Sequence, residues 1–327
     1  PWVKEGFVIE TLSLPPHSAL IIAGPTASGK SGLAMALGKQ HDGVIINADS
    51  QQIYKGLPIL SAQPDADDMA EVPHRLYSFL DGADICDAHR WRELAKKELD
   101  DVLSKGELPI LVGGTGLYIN ALVDGLSPVP DIPDDIRAET MRLLDDIGIE
   151  ALYKRLKDRD AEMAARLDPT NKRRVARAWE VIEATGKSLA EWQKMPREGA
   201  PEDIRFYMIK VMPDREILRE RCNERFDQMM DNGAFDEIKA LNERVKAGEL
   251  DDLSPITKAL GFRAFKAFLE SLVDWQEATD MAKAETRQYA KRQITWFRHQ
   301  VPDNIVSVIT WNPDTDPLPD IERKDAI

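Results

Sequence analysis

Only two cysteines, Cys86 and Cys222, occur in 327 residues. They are too few for a metal cluster and a poor basis for a disulfide framework, so a reducing, cytoplasmic setting is expected. No apolar run approaches the roughly 20 residues that span a bilayer, and no membrane partner is expected. The opening Pro1-Trp-Val-Lys-Glu-Gly6 lacks the pattern of a signal peptide. No internal repeat is visible, and nothing demands an obligate protein partner. A basic excess is missing too: the formal net charge is -14, which as an average argues against a nucleic-acid partner.

The average conceals local islands. Between positions 166 and 177, Arg166, Lys172, Arg173, Arg174 and Arg177 stand against one acid, Asp168. Between 283 and 298, Lys283, Arg287, Lys291, Arg292 and Arg298 stand against Glu285, and Arg215, Arg219, Arg221 and Arg225 lie between the two. Such islands could hold RNA phosphates, or they could be solvated helix faces with intrachain pairing.

What is present most clearly is Gly24-Pro-Thr-Ala-Ser-Gly-Lys-Ser31, of the form G-x-x-x-x-G-K-[ST], after the apolar run Ala19–Ala23. The run reads as a buried strand and the residues from Ser31 as the start of a helix. Glycines permit the tight loop, its N–H groups turn inward, and the helix N-terminus adds positive potential. Gly24, Thr26, Ala27, Ser28, Gly29, Lys30 and Ser31 therefore form a candidate phosphate cradle. Lys30 would reach terminal phosphate oxygens, and Ser31 would bear on a metal or a phosphate. The motif does not say whose phosphates they are.

Further strands are expected at Val44–Ala48, Leu108–Val112, Arg205–Val211 and Ile305–Thr310, and helices at His89–Leu103, Arg215–Leu241, Lys258–Leu272 and Thr279–His299. The proline-bearing stretch from Gly56 to Asp87 reads as loops and short elements. Strand, polar loop and helix in repetition predict an α/β fold of the P-loop NTPase or kinase kind, a parallel sheet with helices on both faces. Helical patterns at Ile136–Ile147, Ile149–Arg159 and Arg173–Ala184 predict an inserted helical domain. The expected division is an N-terminal extension at 1–18, the core at 19–126, the insert at 127–200, the core resumed with a basic helix at 201–315, and a flexible tail at 316–327.

In an open parallel sheet, ligands gather at the C-terminal strand ends. Asp49, directly after the second strand, could align an amine or hydroxyl, remove a proton, hold magnesium through water, or simply cap a helix. Gly113-Gly-Thr-Gly116 allows a second close backbone approach, with Thr115 able to touch a phosphate or leaving-group oxygen. Arg225 reads from pattern as a surface arginine or a phosphate clamp. Tyr54 and Tyr118 read as core residues or as walls for a ligand's apolar part.

Taken together, these residues resemble the tRNA dimethylallyltransferase family, also called tRNA isopentenylpyrophosphate transferases. The resemblance rests on the first loop, Asn47-Ala-Asp-Ser-Gln-Gln-Ile-Tyr54, Val72-Pro-His-Arg75, Gly113-Gly-Thr-Gly-Leu-Tyr-Ile-Asn120, Arg173-Arg-Val-Ala-Arg-Ala-Trp-Glu-Val181, Arg225-Phe-Asp-Gln-Met-Met with Gly233, and Thr286-Arg-Gln-Tyr-Ala-Lys-Arg-Gln-Ile-Thr-Trp-Phe297. It runs in unbroken order over residues 19–300. Departures include Ser61-Ala-Gln-Pro64, where Thr-Ala-Lys-Pro is usual, and Trp179, where leucine is usual. No C2H2 spacing is present, which favours the bacterial type.

The resemblance implies transfer of a dimethylallyl group from dimethylallyl diphosphate to N6 of the adenine at tRNA position 37, with release of diphosphate. Lys30, Ser31, Thr115 and Arg225 match diphosphate-handling positions, with magnesium (Mg2+) assisting at Ser31. Asp49 matches the residue that engages the amine as base. Ser50, Gln51 and Gln52 match positions lining the flipped adenine. Arg174, Arg177, Arg287, Lys291 and Arg292 fall in regions matching those that grip the anticodon stem-loop. Competing readings are an adenylate isopentenyltransferase, a P-loop kinase of a nucleoside or metabolite, and a tRNA-binding protein without catalysis.

Overall fold

The computed structural model describes residues 11–324 and divides the chain into two compact units. One runs up to Val123 and resumes at Pro201; the other is Asp124–Ala200.

The first unit begins with β1 (Thr11–Leu14) and β2 (Ser18–Ala23), followed by α1 (Lys30–Gln40) and β3 (Gly43–Asn47). The proline-bearing stretch carries only α2 (Ala66–Glu71) and β4 (His74–Arg75). Then come α3 (Ala88–Ser104), β5 (Leu108–Gly113) and α4 (Gly116–Val123). The second unit holds α5 (Asp134–Arg159), α6 (Ala161–Ala164), α7 (Lys172–Thr185) and α8 (Leu189–Trp192). On return to the first unit the chain forms β6 (Arg205–Val211), α9 (Arg215–Asp231), α10 (Ala234–Lys246), a 3-10 turn at Pro255–Lys258, α11 (Phe262–Leu269), α12 (Trp275–His299), β7 (Ile305–Trp311) and β8 (Asp320–Arg323).

Six strands pair in the order β4-β3-β5-β2-β6-β7, every pair parallel, which is the expected α/β sheet. Alternation along each strand feeds two cores, because successive side chains point to opposite faces. On β2, Ala19, Ile21 and Ala23 join one face with α3 and α4, while Leu20 and Ile22 join the other with α1. Val44 and Ile46 of β3 likewise go to the first face and Ile45 to the second. On β7, Ile305 and Ile309 serve opposite faces although four residues apart. A register shift opposite Phe206/Tyr207 leaves Val306 extra and turns the strand over.

Caps explain several boundaries. Asp87 accepts the Arg90 N–H to start α3, and a capping box between Asp274 and Glu277 starts α12 four residues before the expected Thr279. The helix expected over 215–241 is instead broken at Gly233, whose φ of 101° is left-handed, and becomes α9 and α10. The helix expected over 258–272 is shortened to α11 by Gly261, at φ 87°. These helices share a further core in which Phe226, Phe262 and Phe265 meet Ile53, Leu57 and Leu60 of the segment between β3 and α2.

Two expectations at the ends of the chain change. Thr11–Leu14, expected in an extension, and Asp320–Arg323, expected in a flexible tail, pair as a parallel two-stranded sheet. Leu12, Leu14 and Ile321 are buried against the α1 side of the main sheet, which ties both segments down. Residues 1–10 and 325–327 lie outside the described residues.

In the second unit, α5 breaks at Gly148 (φ 77°, ψ 168°), and Leu144, Leu152 and Leu156 pack against Val175, Ala178 and Ile182 of α7. Asn171 caps α7 by accepting the Arg174 N–H, and Gly186 ends it at φ 68°. Among the described residues no helix is long and apolar enough to cross a membrane.

Candidate active site

β3, β5 and β2 are neighbours in a parallel sheet, so the three polar loops that follow them emerge on one edge. After β2, the chain turns so closely under β6 that a Cβ on Gly24 would stand 2.6 Å from the Val211 carbonyl oxygen. Gly29, at φ 90°, delivers the chain into α1. Lys30 Nζ donates to Pro25 O at 3.2 Å across the loop. Burial pushes the Lys30 ammonium down to about 8; the Asp49 charge opposes this and the Arg225 charge adds to it.

Asp49 stands just beyond β3. Its N–H donates to Asn47 Oδ1 at 2.8 Å, and its Oδ1 accepts the Gln51 N–H at 2.9 Å. Asn47, itself fully buried, also donates to Leu76 O at 3.0 Å. The carboxylate is therefore set on a braced turn. Beneath it, Trp91 Nε1 donates to Asn47 O at 3.0 Å while its ring stacks on Tyr118 with centroids 4.7 Å apart. Tyr118 is thus core, as is Tyr54.

The loop after β5 meets the loop after β3 directly. A Cβ on Gly113 would stand 2.1 Å from Ala48 O. Thr115 donates its N–H to Ala48 O at 3.2 Å, and its Oγ1 accepts the Ser50 N–H at 3.0 Å. Tyr289 of α12 hydrogen-bonds the Thr115 hydroxyl, and burial holds its phenol well above its ordinary range, reinforced by the Asp49 charge.

Arg225 reaches in from α9 and donates to Thr26 Oγ1 of the first loop. Burial lowers its pKa against the opposing influence of Cys222 and Asp49; a guanidinium nevertheless remains charged. Of the two readings its pattern allowed, the surface arginine gives way. Cys222 is a free, buried thiol under this loop; burial raises its pKa, and Arg225, Arg287 and Lys30 pull it back.

Lys30, Asp49, Ser50, Thr115 and Arg225 are thus gathered, and the arrangement suits a polyanionic group held beside a carboxylate. Gln52 turns away to other work: its Nε2 donates to Ser61 O and Ala62 O at 2.9 and 2.7 Å. Gln63 donates to Tyr54 O at 2.9 Å, a backbone tie in place of a charge. Arg287 donates to Asn223 Oδ1 at 2.6 Å, while Lys291 and Arg292 are exposed, with Arg292 over the Tyr289 ring. Arg174 is exposed on α7 and Arg177 pairs with Glu180 at 3.6 Å, both in the second unit. Among the described residues no group of three His, Cys, Asp or Glu could enclose a metal. Sequence reasoning gave no role to Asn47 or Gln293, although both lie inside the quoted motifs. Their signal was an amide standing where a core residue would serve.

The family model described as IPP transferase matches residues 52–300. A tRNA dimethylallyltransferase of Paramagnetospirillum magneticum is 50% identical over 283 residues, covering 86% of this chain and 88% of the relative. One from a Bradyrhizobium species is 47% identical over 290 residues, covering 89% and 93%. Among solved structures, the full-length tRNA isopentenylpyrophosphate transferase from Bacillus halodurans aligns over 92% of this chain and 91% of its own, at 33% identity and TM-score 0.64. A eukaryotic dimethylallyltransferase acting on tRNA aligns over 91% and 75%, at 26% identity and TM-score 0.78.

Proposed function

The chain belongs to the IPP transferase family and acts as a tRNA dimethylallyltransferase, and we propose that it does so through the three strand-end loops, moving the prenyl group to N6 of adenine 37. The observation that carries this assignment of the site is the convergence of Lys30, Asp49, Thr115 and Arg225 at adjacent strand ends.

An exocyclic adenine amine is a weak nucleophile, so alignment and proton removal decide the rate. In this reading the adenine is turned out of its loop, where stacking costs little, and lies against Ser50 and Gln51, while Gln52 braces the turn at Ser61 and Ala62. Asp49, braced by Asn47, takes the amine proton as the N6–carbon bond forms and the carbon–oxygen bond to diphosphate breaks. The Ala27 and Gly29 N–H groups, Lys30, Thr115 and Arg225 hold the negative charge that leaves with the diphosphate. Ser31, the second residue of α1, is exposed. A single hard oxygen donor there would suit magnesium, a hard cation that favours oxygen ligands. Ser31 would hold magnesium, which would supply further neutralisation of the diphosphate charge. Arg174, Arg177, Arg287, Lys291 and Arg292 contact the anticodon stem-loop backbone. The reading puts the enzyme in the cytoplasm with its RNA.

The test offers the protein labelled dimethylallyl diphosphate and magnesium with either an adenine-bearing anticodon stem-loop or AMP. Label in the RNA adenine is the expected result. Label in AMP alone overturns the reading in favour of an adenylate isopentenyltransferase, and ATP consumption with neither product points to a kinase.

A further inference from the structure

One buried side chain outside the roles assigned so far joins the two phosphate-facing loops. Gln293 lies in α12 and is 4% exposed. Its Oε1 accepts the Thr26 N–H at 2.8 Å, and its Nε2 donates to Gly114 O at 3.0 Å. These partners settle which end of the amide is which, since a backbone N–H only donates and a carbonyl only accepts. Each partner adjoins a working group: Thr26 receives Arg225 at its hydroxyl, and Gly114 precedes Thr115. The fit is close, for a Cβ on Gly114 would stand 2.0 Å from Gln293 Nε2.

Resting on the transferase reading, we infer that Gln293 is a positioning residue that fixes the spacing between the diphosphate cradle and the Thr115–Asp49 side of the site. The leaving group and the base belong to different loops, and backbone pairing within the sheet ends at Ala23 and Gly113. Beyond those residues the Gln293 amide links one loop to the other. A planar amide supplies the acceptor and the donor from one rigid group. Alanine would strand two buried backbone groups. An ionised glutamate would accept from Thr26 but turn a second acceptor oxygen toward Gly114 O. A protonated glutamate restores the pattern, with a carbonyl oxygen to accept and an O–H to donate.

The experiment uses the full chain with magnesium present. Gln293→Ala is expected to lower kcat with the anticodon stem-loop at least tenfold and to weaken inorganic diphosphate binding by calorimetry at least tenfold. The KM for RNA should stay within about threefold. Gln293→Glu should be comparably slow at pH 8, and the ratio of its kcat to that of the unaltered chain should rise severalfold toward pH 6 as the buried carboxyl takes up a proton. The inference is overturned if Gln293→Ala keeps kcat and diphosphate affinity within twofold, or if the loss appears in the RNA KM alone. Should Gln293→Ala fail to fold, a flat pH ratio for Gln293→Glu overturns it equally. An unaltered chain that transfers nothing to RNA sinks the transferase reading itself, and the diphosphate affinities then still decide the place of Gln293.

Discussion

The strand-end loops and the helices of the unit Asp124–Ala200 are built to different tolerances. In the loops, residue type is dictated by distances below 3 Å: Gly113 against Ala48 O, Gly24 against Val211 O, Gly114 against Gln293. Along the helices of that unit, Leu144, Leu152, Leu156 and Val175 fill an ordinary apolar core and a Cβ on Gly148 or Gly186 would meet nothing within 4 Å; Gly125, whose Cβ would stand 2.4 Å from Glu198 O, lies before them. Chemistry that must hold a departing anion against a base needs atoms fixed to fractions of an ångström. A surface meant for phosphates along an RNA backbone needs charge in the right region and asks less of geometry. The contrast teaches where substitutions should matter.

The largest effect is expected at Asp49. Asp49→Asn keeps the Gln51 cap but removes the proton acceptor, and turnover should fall about 100- to 10,000-fold, with inorganic diphosphate affinity within a few-fold. Full turnover in rapid-quench assays would remove Asp49 as base. Next comes a matched glycine pair. Gly113→Ala drives a Cβ into backbone and should cost about 3 kcal/mol or more, measured by urea unfolding. Gly186→Ala, at φ 68° and ψ 1° with open space around its Cβ, bears only left-handed strain, about 1–2 kcal/mol. Equal costs would erase the distinction between the two regions.

A third expectation concerns pH. In the free protein burial holds Lys30 at about 8, and diphosphate favours its protonated form. Above pH 8 binding must therefore take up a proton, and the dissociation constant should rise about tenfold per pH unit. Lys30→Arg keeps its charge and should flatten that limb in calorimetric titrations. The smallest effect is reserved for the helical unit. Replacing Arg174 and Arg177 together by Ala should reduce the salt slope of stem-loop binding by about one to two units, leaving diphosphate affinity unchanged. A collapse of diphosphate binding in that variant would contradict the division of labour drawn here.

Much of the first region was legible because local pattern and tertiary role coincide there. The apolar runs Ala19–Ala23 and Leu108–Val112 could hardly be anything but buried strands, and the glycines that follow them mark turns. Pattern alone left Arg225 open between a surface arginine and a clamp, because exposed Glu224 and buried Phe226 flank it on α9 and what draws it inward is Thr26, 199 positions away. Gln293 was hidden similarly, since both its partners are backbone atoms, which leave no trace in side-chain pattern. The break at Gly233 was missed because glycine in a helical run is tolerated as often as it terminates. The paired ends were missed because four-residue strands carry too little periodicity to stand out. In the helical unit, the long helices were readable from their helical pattern, whereas the partners of its exposed arginines are not written in that pattern at all.

The pairing of β1 with β8 bears on the order in which the chain assembles. Thr11 and Asp320, joined by a hydrogen bond, are 309 positions apart. Closing so long a loop early would cost entropy that a four-residue ladder cannot return. The ladder should therefore form only after the six-stranded sheet has brought its two ends near one another. Its amides then make a natural clock for the end of folding: in pulse-labelling hydrogen exchange, Leu12 and Ile321 should gain protection after Ile21 and Leu111.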